Sequence, residues 1–321
     1  MTREESKMMQ GLGILVMIFY HLFEPHMNPE FANTVIGNMG RAANPVPLYC
    51  LLSGYGLYIV HSQGKDKHRW TRCAKLYTNY WMITAMFVCI SLLMGQTRCI
   101  LSPSVIVSNM VDWHTDYYLP AWFILPYCIL SVCSQWIFRV TDKLNVWLVL
   151  IIGYGIYVFS SRMNVYDWFR MNIFQTLYIF FPFLLGGVMA RTRLVERCDA
   201  WLSKMPLALV DVFLGCVLVV RYFLYTGAVI SFFWAAVIVI AVHHVRRVGG
   251  GIVLKFFGKH NLNMWMIHAW ICWYLFRPQI AALGNPLLMF LVEVGVCVVL
   301  SMVFNLFLQP LNRLVFHGKT R

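Results

Sequence analysis

Charged residues are scarce in this chain of 321 residues: they make up 12% of the composition, and only 13 residues are acidic. Soluble domains carry roughly 25% charged residues. Hydrophobic residues reach 60% and aromatic residues 16%, which is more apolar surface than a soluble core of this length can bury. The composition therefore excludes a soluble globular protein and predicts an all-α, polytopic membrane protein.

Cysteine pairs and a cleavage signal are missing as well. The ten cysteines stand singly without Cys-x-x-Cys spacing, which favours small packing residues over a metal site or disulfide framework. Segment 112–116 holds acids and a histidine but no regular ligand spacing, so we expect no metal. The first apolar run lacks a small-residue cleavage site and leads into Glu24-Pro25, so we expect no signal peptide. We expect one integral-membrane domain over 1–321, without an appended soluble domain.

Apolar runs predict about ten membrane helices. The spans are 8–23, 46–60, 76–95, 120–138, 145–160, 173–190, 206–224, 228–243, 261–277 and 286–308. Twenty of the 26 Lys and Arg residues fall in one set of loops and termini, and the positive-inside rule places this set and both termini in the cytoplasm. The net charge of +13 therefore indicates topology rather than nucleic-acid binding. The predicted outer set comprises Arg41, Arg98, Arg162, Arg170, Arg221 and Arg277.

An intramembrane histidine is the first candidate for chemistry. The apolar run from Gln10 to Phe23 is interrupted by one ionisable side chain, His21, and such a group in hydrocarbon is a functional candidate by default. Eleven residues are close to three helical turns, so Gln10 and His21 lie on one helix face, roughly 16 Å apart. Lys7 falls within about 40° of that face. A packing histidine that bonds a neighbouring helix is the alternative.

This run resembles the first membrane helix of the acyltransferase 3 family, integral membrane enzymes that O-acylate mostly carbohydrate acceptors on or outside the bacterial cell membrane. An aromatic-rich run ending in Ser53-Gly54-Tyr55, a basic pair before Tyr80-Trp81, a Gly258-Lys259 motif and Gln309-Pro310 are further similarities. We expect Ser53 and Gly54 to allow close helix packing. The family usually has arginine eleven residues before the histidine, where this chain has Gln10.

The resemblance implies transfer of an acyl group, with acetyl expected, from cytoplasmic acyl-coenzyme A to a hydroxyl of an extracytoplasmic or membrane-linked carbohydrate. It implies that His21 is catalytic, as general base or acyl relay, and that no cofactor is bound permanently. Topogenic charge is the alternative for the basic residues after the second helix, and a bond to a partner helix is the alternative for His268. The candidate acyl-coenzyme A ligands are Lys7, Gln10, Arg69, Arg72, Lys75 and His268.

Glu293 is the acid deepest in a predicted span, near the predicted level of His21. A buried carboxylate usually has a partner, so we expect Glu293 to act in catalysis by orienting an imidazole, with Arg221 as an alternative partner. The outer connections 24–45 and 96–119 are rich in polar and aromatic residues suited to sugars, although an interfacial aromatic belt explains them equally well. The candidate acceptor-binding residues are Glu24, Trp113, Asp116 and Trp122.

The expected partners are membrane lipids, acyl-coenzyme A and a carbohydrate or other hydroxyl acceptor. The prediction allows a homodimer and excludes nucleic acid. The resemblance implies a multi-pass protein of the bacterial inner membrane. The main alternative is a transporter or flippase of a glycan-linked lipid that uses His21, His268 and Glu293 as proton-relay or substrate groups. A non-catalytic membrane scaffold is the third possibility.

Overall fold

The computed structural model of the chain describes residues 1–65, 69–163, 167–224 and 227–316. These ranges are helical and contain no strand, which confirms the predicted all-α class. Lys67, Lys319 and Arg321, which belong to the predicted cytoplasmic set, lie outside the described residues. The helices are α1 (Arg3–Phe23), α2 (Val35–Ala42), α3 (Val46–Ser62), α4 (Arg69–Leu93), α5 (Pro103–Met110), α6 (Ile124–Thr141), α7 (Val146–Ser161), α8 (Trp168–Arg191), α9 (Leu194–Leu202), α10 (Leu207–Phe223), α11 (Val229–Val248), α12 (Ile252–Ala269), α13 (Arg277–Ala281) and α14 (Pro286–Phe316).

Each predicted span overlaps one of these helices, although length and composition support fewer crossings. Within the described ranges, six helical stretches are long and apolar enough to cross a membrane. The count of about ten and the location of the termini therefore stay predictions. The six stretches are Arg3–Phe23, Arg69–Leu93, Leu119–Thr141, Trp168–Arg191, Val229–Val248 and Pro286–Phe316.

Several helix boundaries differ from the sequence-based spans. α4 begins at Arg69 rather than 76, and α12 begins at Ile252 rather than 261. The apolar windows mark the lipid-facing part of a helix, whereas Lys and Arg are good helix formers that extend it beyond that part. The predicted span 261–277 is also not one regular helix, because α12 ends at Ala269 and a π-helical segment, Trp270–Leu275, follows.

The chain divides into two compact units. Unit 1 comprises Met1–Lys65, Ser134–Ser161 and Leu177–Asn261, and unit 2 comprises Asp66–Cys133, Arg162–Thr176 and Leu262–Arg321. The helices α6, α8 and α12 therefore contribute residues to both units. The expectation of a single integral-membrane domain stays a prediction.

Two pairs of helices in unit 1 cross with their backbones in close contact. A Cβ at Gly11 would collide with the carbonyl oxygen of Leu254, and a Cβ at Gly258 would collide with that of Lys7. The crossing of α1 and α12 therefore requires glycine at both positions. Small residues at a helix crossing are the usual means by which membrane helices gain van der Waals contact.

The crossing of α3 and α8 is built in the same way. A Cβ at Gly54 would meet the carbonyl oxygen of Phe183, and a Cβ at Gly186 would meet that of Leu51. This contact confirms the packing role predicted for Gly54.

The start of α1 is held by a network of charges. Thr2 and Glu5 form a capping box, which satisfies N–H groups that the first turn leaves without helical partners. The guanidinium of Arg246 donates to Glu5 at 2.8 Å and to Asp199 at 2.7 Å, and His243 Nδ1 lies 2.8 Å from Asp199. Burial raises the pKa of Asp199, but these two partners lower that pKa by more, to below its usual value.

We predict that Gly258→Ala lowers the thermal stability of the protein, because the added methyl group cannot fit against the backbone of α1; overpacking of this kind costs about 1–3 kcal/mol. Gly215→Ala in α10 is the matched control, since a Cβ there meets nothing within 4 Å and alanine favours the helix. Thermal unfolding of both variants in detergent measures the difference. Equal stability of the two variants would contradict the close crossing.

Candidate active site

His21 lies in the last turn of α1, and only 9% of its surface is exposed. Its carbonyl is among the last of the helix, which have no helical N–H partner, and Asn28 Nδ2 donates to it at 2.8 Å. The imidazole packs against the ring of Tyr20, with 5.0 Å between the ring centroids. The turn after α1 therefore fixes the backbone that carries the candidate catalytic imidazole.

Glu24, a predicted acceptor ligand, is engaged with its own turn. The residue is buried, and its Oε2 accepts hydrogen bonds from the backbone N–H groups of His26 and Met27 at 2.9 and 3.2 Å. Its Oε1 lies 3.8 Å from His26 Nε2. The carboxylate stabilises the turn that follows His21, and its binding of an acceptor stays a prediction.

The side chain of Gln10 is hydrogen-bonded to a residue of α12. Asn261 Nδ2 donates to Gln10 Oε1 at 3.1 Å, beside the crossing at Gly258. Lys7 is exposed, and its ammonium forms no hydrogen bond or ion pair with any residue that the structure describes. On the face of α1 predicted to bind the donor, Lys7 therefore offers a cation and Gln10 a polar group that is already paired.

The predicted cationic ridge of Arg69, Arg72 and Lys75 is helical, since all three residues lie in the first two turns of α4. Arg69 Nη1 donates to the carbonyl of Val132 at 3.0 Å, and the ammonium of Lys75 lies over the ring of Phe316, 5.5 Å from its centroid. Arg72 is exposed. Of the three cations, Arg72 is therefore the most accessible to a bound anion.

His268 is fully buried in unit 2. Its Nδ1 lies 2.7 Å from the carbonyl oxygen of Trp265 and 3.3 Å from the hydroxyl of Tyr118, which donates to the same carbonyl. Because a carbonyl can only accept, Nδ1 carries the proton and Nε2 is the acceptor nitrogen of the neutral ring. Whether this histidine contributes to donor binding stays a prediction.

Glu293 is fully buried in α14. Its Oε1 accepts from the thiol of Cys297 at 3.4 Å. Its Oε2 is buried without a hydrogen-bond partner among the described residues. The thiol is a weak donor, so the neighbours of this carboxyl within unit 2 leave it poorly compensated. The predicted pairing of Glu293 with His21 or Arg221 stays a prediction.

The connection 96–119 is folded against α4, and its location outside the membrane stays a prediction. The hydroxyls of Tyr77 and Tyr80 donate to the carbonyls of Val111 and Asn109, and Trp81 Nε1 donates to that of Met110 at 2.7 Å. Tyr77 lies eight residues after the start of α4, roughly 12 Å along the helix. The sequence indicates that this connection is polar. It does not show that the connection folds back along α4.

Two predicted acceptor ligands lie in this folded connection. The side chain of Asp116 is about half exposed and accepts from Asn109 Nδ2 at 3.2 Å. Trp113 is 38% exposed, and its carbonyl accepts from Asn172 Nδ2 at 3.1 Å. Trp122 lies in the 3-10 turn Leu119–Phe123 at the start of α6, where it packs edge-on against Phe123. An accessible indole and carboxylate on an ordered backbone can stack on a sugar ring and accept its hydroxyls.

All ten cysteines are free. Six are buried, as expected of packing residues, but Cys89 and Cys216 are exposed on their helices. Across the described ranges, no group of three or more His, Cys, Asp or Glu side chains is placed to hold a metal ion. The expectation that the protein works without a metal stays a prediction.

A family model described as "Acyltransferase domain" matches residues 4–306, nearly the whole chain. The chain belongs to the acyltransferase 3 family. No curated protein and no solved structure gave a significant match. Together with the apolar helices, family membership indicates a multi-pass membrane protein with acyltransferase activity.

The acyltransferase also contains a buried acid that sequence analysis missed as a site residue. Asp112 is 1% exposed, and neither of its carboxyl oxygens has a hydrogen-bond partner among the described residues. It follows α5 in the left-handed conformation (φ 54°), and Trp113 N donates to the carbonyl of Ser108 at 3.0 Å, as in a Schellman motif. Glycine is the usual residue at such a position. Segment 112–116 showed acidic residues, but only the fold shows that Asp112 is buried.

Burial raises the pKa of Asp112 from 3.8 to about 8, although the nearby hydroxyls of Tyr80 and Tyr77 lower it. The folded acyltransferase therefore keeps this proton up to about pH 8, whereas the unfolded chain releases it near pH 3.8. Because the unfolded state then binds fewer protons, this group makes folding less favourable as the pH rises through that range.

We predict that Asp112→Asn is more thermostable than the wild type, by a margin that grows between pH 5 and 8 and then levels off, because asparagine cannot ionise. Asp116→Asn, at a side chain about half exposed, is the matched control and should follow the pH slope of the wild type. Thermal unfolding in detergent at several pH values measures both slopes. A wild-type slope in Asp112→Asn would show that this carboxyl does not hold its proton.

Proposed function

We propose that this acyltransferase moves an acyl group, acetyl in the expected case, from cytoplasmic acyl-coenzyme A to a hydroxyl of an extracytoplasmic or membrane-linked carbohydrate. The observation that carries the proposal is the buried imidazole of His21, on the face of α1 that also carries Gln10 and Lys7. No resident cofactor takes part. The bacterial inner membrane is the proposed location, and a homodimer is compatible with the proposal.

The chemistry needs one group that moves a proton. The acceptor oxygen attacks the carbonyl carbon of the thioester while His21 takes the hydroxyl proton. The new O–C bond forms as the C–S bond breaks, and the proton passes to the leaving thiolate of coenzyme A. An imidazole suits this exchange because it titrates near neutral pH.

An acyl relay through His21 is the alternative sequence of steps, and a single incubation separates the two. Labelled acetyl-coenzyme A is added to the purified protein without acceptor. Label retained on His21 after denaturation indicates a relay, because the acyl group then rests on the imidazole. Turnover that starts only with acceptor, without labelled protein, indicates general-base catalysis.

The positive charge at the start of α4 supports the proposed binding of acyl-coenzyme A. Coenzyme A carries phosphates that arginine binds in bidentate fashion. The nucleotide is too polar to enter hydrocarbon, so in this proposal it stays at the cytoplasmic surface, and the pantetheine arm carries the thioester inward. Arg72 is the exposed cation of α4 that we assign to these phosphates. Binding of the donor by Lys7 of α1 stays a prediction.

We predict that His21→Ala abolishes acyl transfer without unfolding the protein, since only the proton acceptor is lost. His26→Ala is the matched control, because that imidazole lies five residues further on and its side chain is 86% exposed. The assay follows label from acetyl-coenzyme A into a glycan extract, with thermal unfolding as the check on folding. A folded His21→Ala protein that keeps most of its turnover would show that this histidine is structural.

We predict that Arg72→Gln raises the KM for acetyl-coenzyme A and changes the KM for acetyl-pantetheine much less, because pantetheine lacks the nucleotide phosphates. Arg139→Gln is the matched control, since Arg139 is another exposed arginine of the predicted cytoplasmic set. Initial rates with both donors measure the effect. Equal defects of Arg72→Gln with the two donors would refute a phosphate-binding role.

A further inference from the structure

Arg221 is a buried cation in unit 1 that the proposed mechanism does not use. It lies in the last turn of α10, on the predicted outer side, and only 5% of its surface is exposed. Arginine stays protonated at any pH at which proteins fold. A charge removed from water is therefore present here at all times, and it requires compensation.

The hydrogen bonds of Arg221 compensate only part of that charge. Nη1 donates to the carbonyl oxygen of Leu224 at 3.0 Å, whereas Nε and Nη2 are buried without a hydrogen-bond partner among the described residues. Nε and Nη2 lie on the same edge of a guanidinium. This edge is the fork that binds the two oxygens of a carboxylate or phosphate through parallel hydrogen bonds.

The described residues around Arg221 supply no opposite charge. The carboxylates of unit 1 that form ion pairs bind other cations, as Glu5 and Asp199 bind Arg246. Tyr178 is the titratable neighbour that interacts electrostatically with Arg221. Phenol groups are neutral at physiological pH and can donate to an anion.

This phenol neighbourhood extends toward the catalytic histidine. The ring of Tyr178 lies 5.3 Å from that of Tyr157, and Tyr178 also interacts with Tyr20. Tyr20 precedes His21 and packs against its ring. Arg221, these phenol groups and His21 all belong to unit 1, and electrostatic interactions through Tyr178 connect the guanidinium with the phenol beside His21.

We propose that Arg221 binds an oxyanion, a carboxylate or phosphate carried by the acceptor, and so selects acidic carbohydrates over neutral ones. The assignment of this anion to the acceptor rests on the proposed function. The anion completes the hydrogen bonds of Nε and Nη2 and neutralises the buried guanidinium. It also holds the acceptor on the side of unit 1 where the phenol groups approach His21.

The test measures binding rather than turnover. The Tm of the purified full chain in neutral detergent is recorded with glucuronate or glucose, and with glycerol 3-phosphate or glycerol. A ligand that binds only the folded state raises Tm, so we expect an increase of several degrees with an anionic ligand and little change with its neutral match. An absent increase in the wild type would overturn the proposal.

Arg221→Gln removes the charge and the fork. We expect a higher Tm than the wild type without ligand, because an uncompensated buried charge is gone, and loss of the response to anions. Arg170→Gln is the matched control: its guanidinium belongs to the same predicted outer set, is half exposed and pairs with Asp167, and the variant should keep the full response. An anion response that persists in Arg221→Gln would overturn the proposal.

Arg221→Lys covers the case in which the glutamine variant does not fold. It keeps the positive charge but offers a single ammonium instead of the fork, so we expect a weakened anion response. An unchanged response in this variant would overturn the bidentate site. His21→Ala should respond as the wild type does, because the anion does not touch the imidazole, so failure of the catalytic role of His21 would leave this test intact.

A lipid headgroup carries the same chemistry as an acidic acceptor. Nanodiscs of phosphatidylglycerol and of phosphatidylcholine separate the two sources. We expect the response to glucuronate or glycerol 3-phosphate in both lipids. A response in phosphatidylcholine that phosphatidylglycerol removes, only when Arg221 is present, would overturn the acceptor assignment and identify the site as one for anionic lipid.

Discussion

The backbone contact of α1 with α12 determines where the polar groups of α1 lie. Gly11 and Gly258 allow the two helices to touch, and a helix fixed at one point has the height and rotation of its other residues fixed as well. The contact places Gln10 beside Asn261. At the start of the same helix, Arg246 holds Glu5. His21, almost three turns beyond the crossing, is therefore carried on a helix that is anchored at two levels.

The cost of leaving polar groups unpaired away from water explains most of the side-chain arrangement around this helix. Asn28 satisfies the carbonyl of His21, and Glu24 satisfies the N–H groups of the turn that follows. Such pairs are the rule in folded proteins. Arg221, Asp112 and Glu293 depart from it, since each is buried with at least one polar atom that no described residue pairs. Buried groups of this kind can form hydrogen bonds with a polar ligand.

The sequence was sufficient for the helices and for the family. Apolar runs located a helix at each predicted span, and the residues of the first helix identified the acyltransferase 3 family that the match over 4–306 shows. Short-range geometry was also predictable: the spacing of Arg69, Arg72 and Lys75 gave a helical ridge, and Gly54 gave a close packing position. These features depend on residues near one another in the chain or on small side chains, which periodicity and composition report directly.

The same reasoning could not predict which side chains form hydrogen bonds across the fold. Gln10 stands where the family usually has arginine, but its side chain accepts a hydrogen bond from Asn261, more than two hundred residues away. That partner limits the hydrogen bonds that Gln10 can form with a donor. In the sequence, Asp112 appears as one more acid of the connection 96–119, and Arg221 appears as one more charge near the end of the predicted span 206–224. Their value as site candidates comes from missing partners, and a missing partner is a property of the whole environment. A sequence states which groups must be satisfied, whereas the fold decides which of them are left for a substrate.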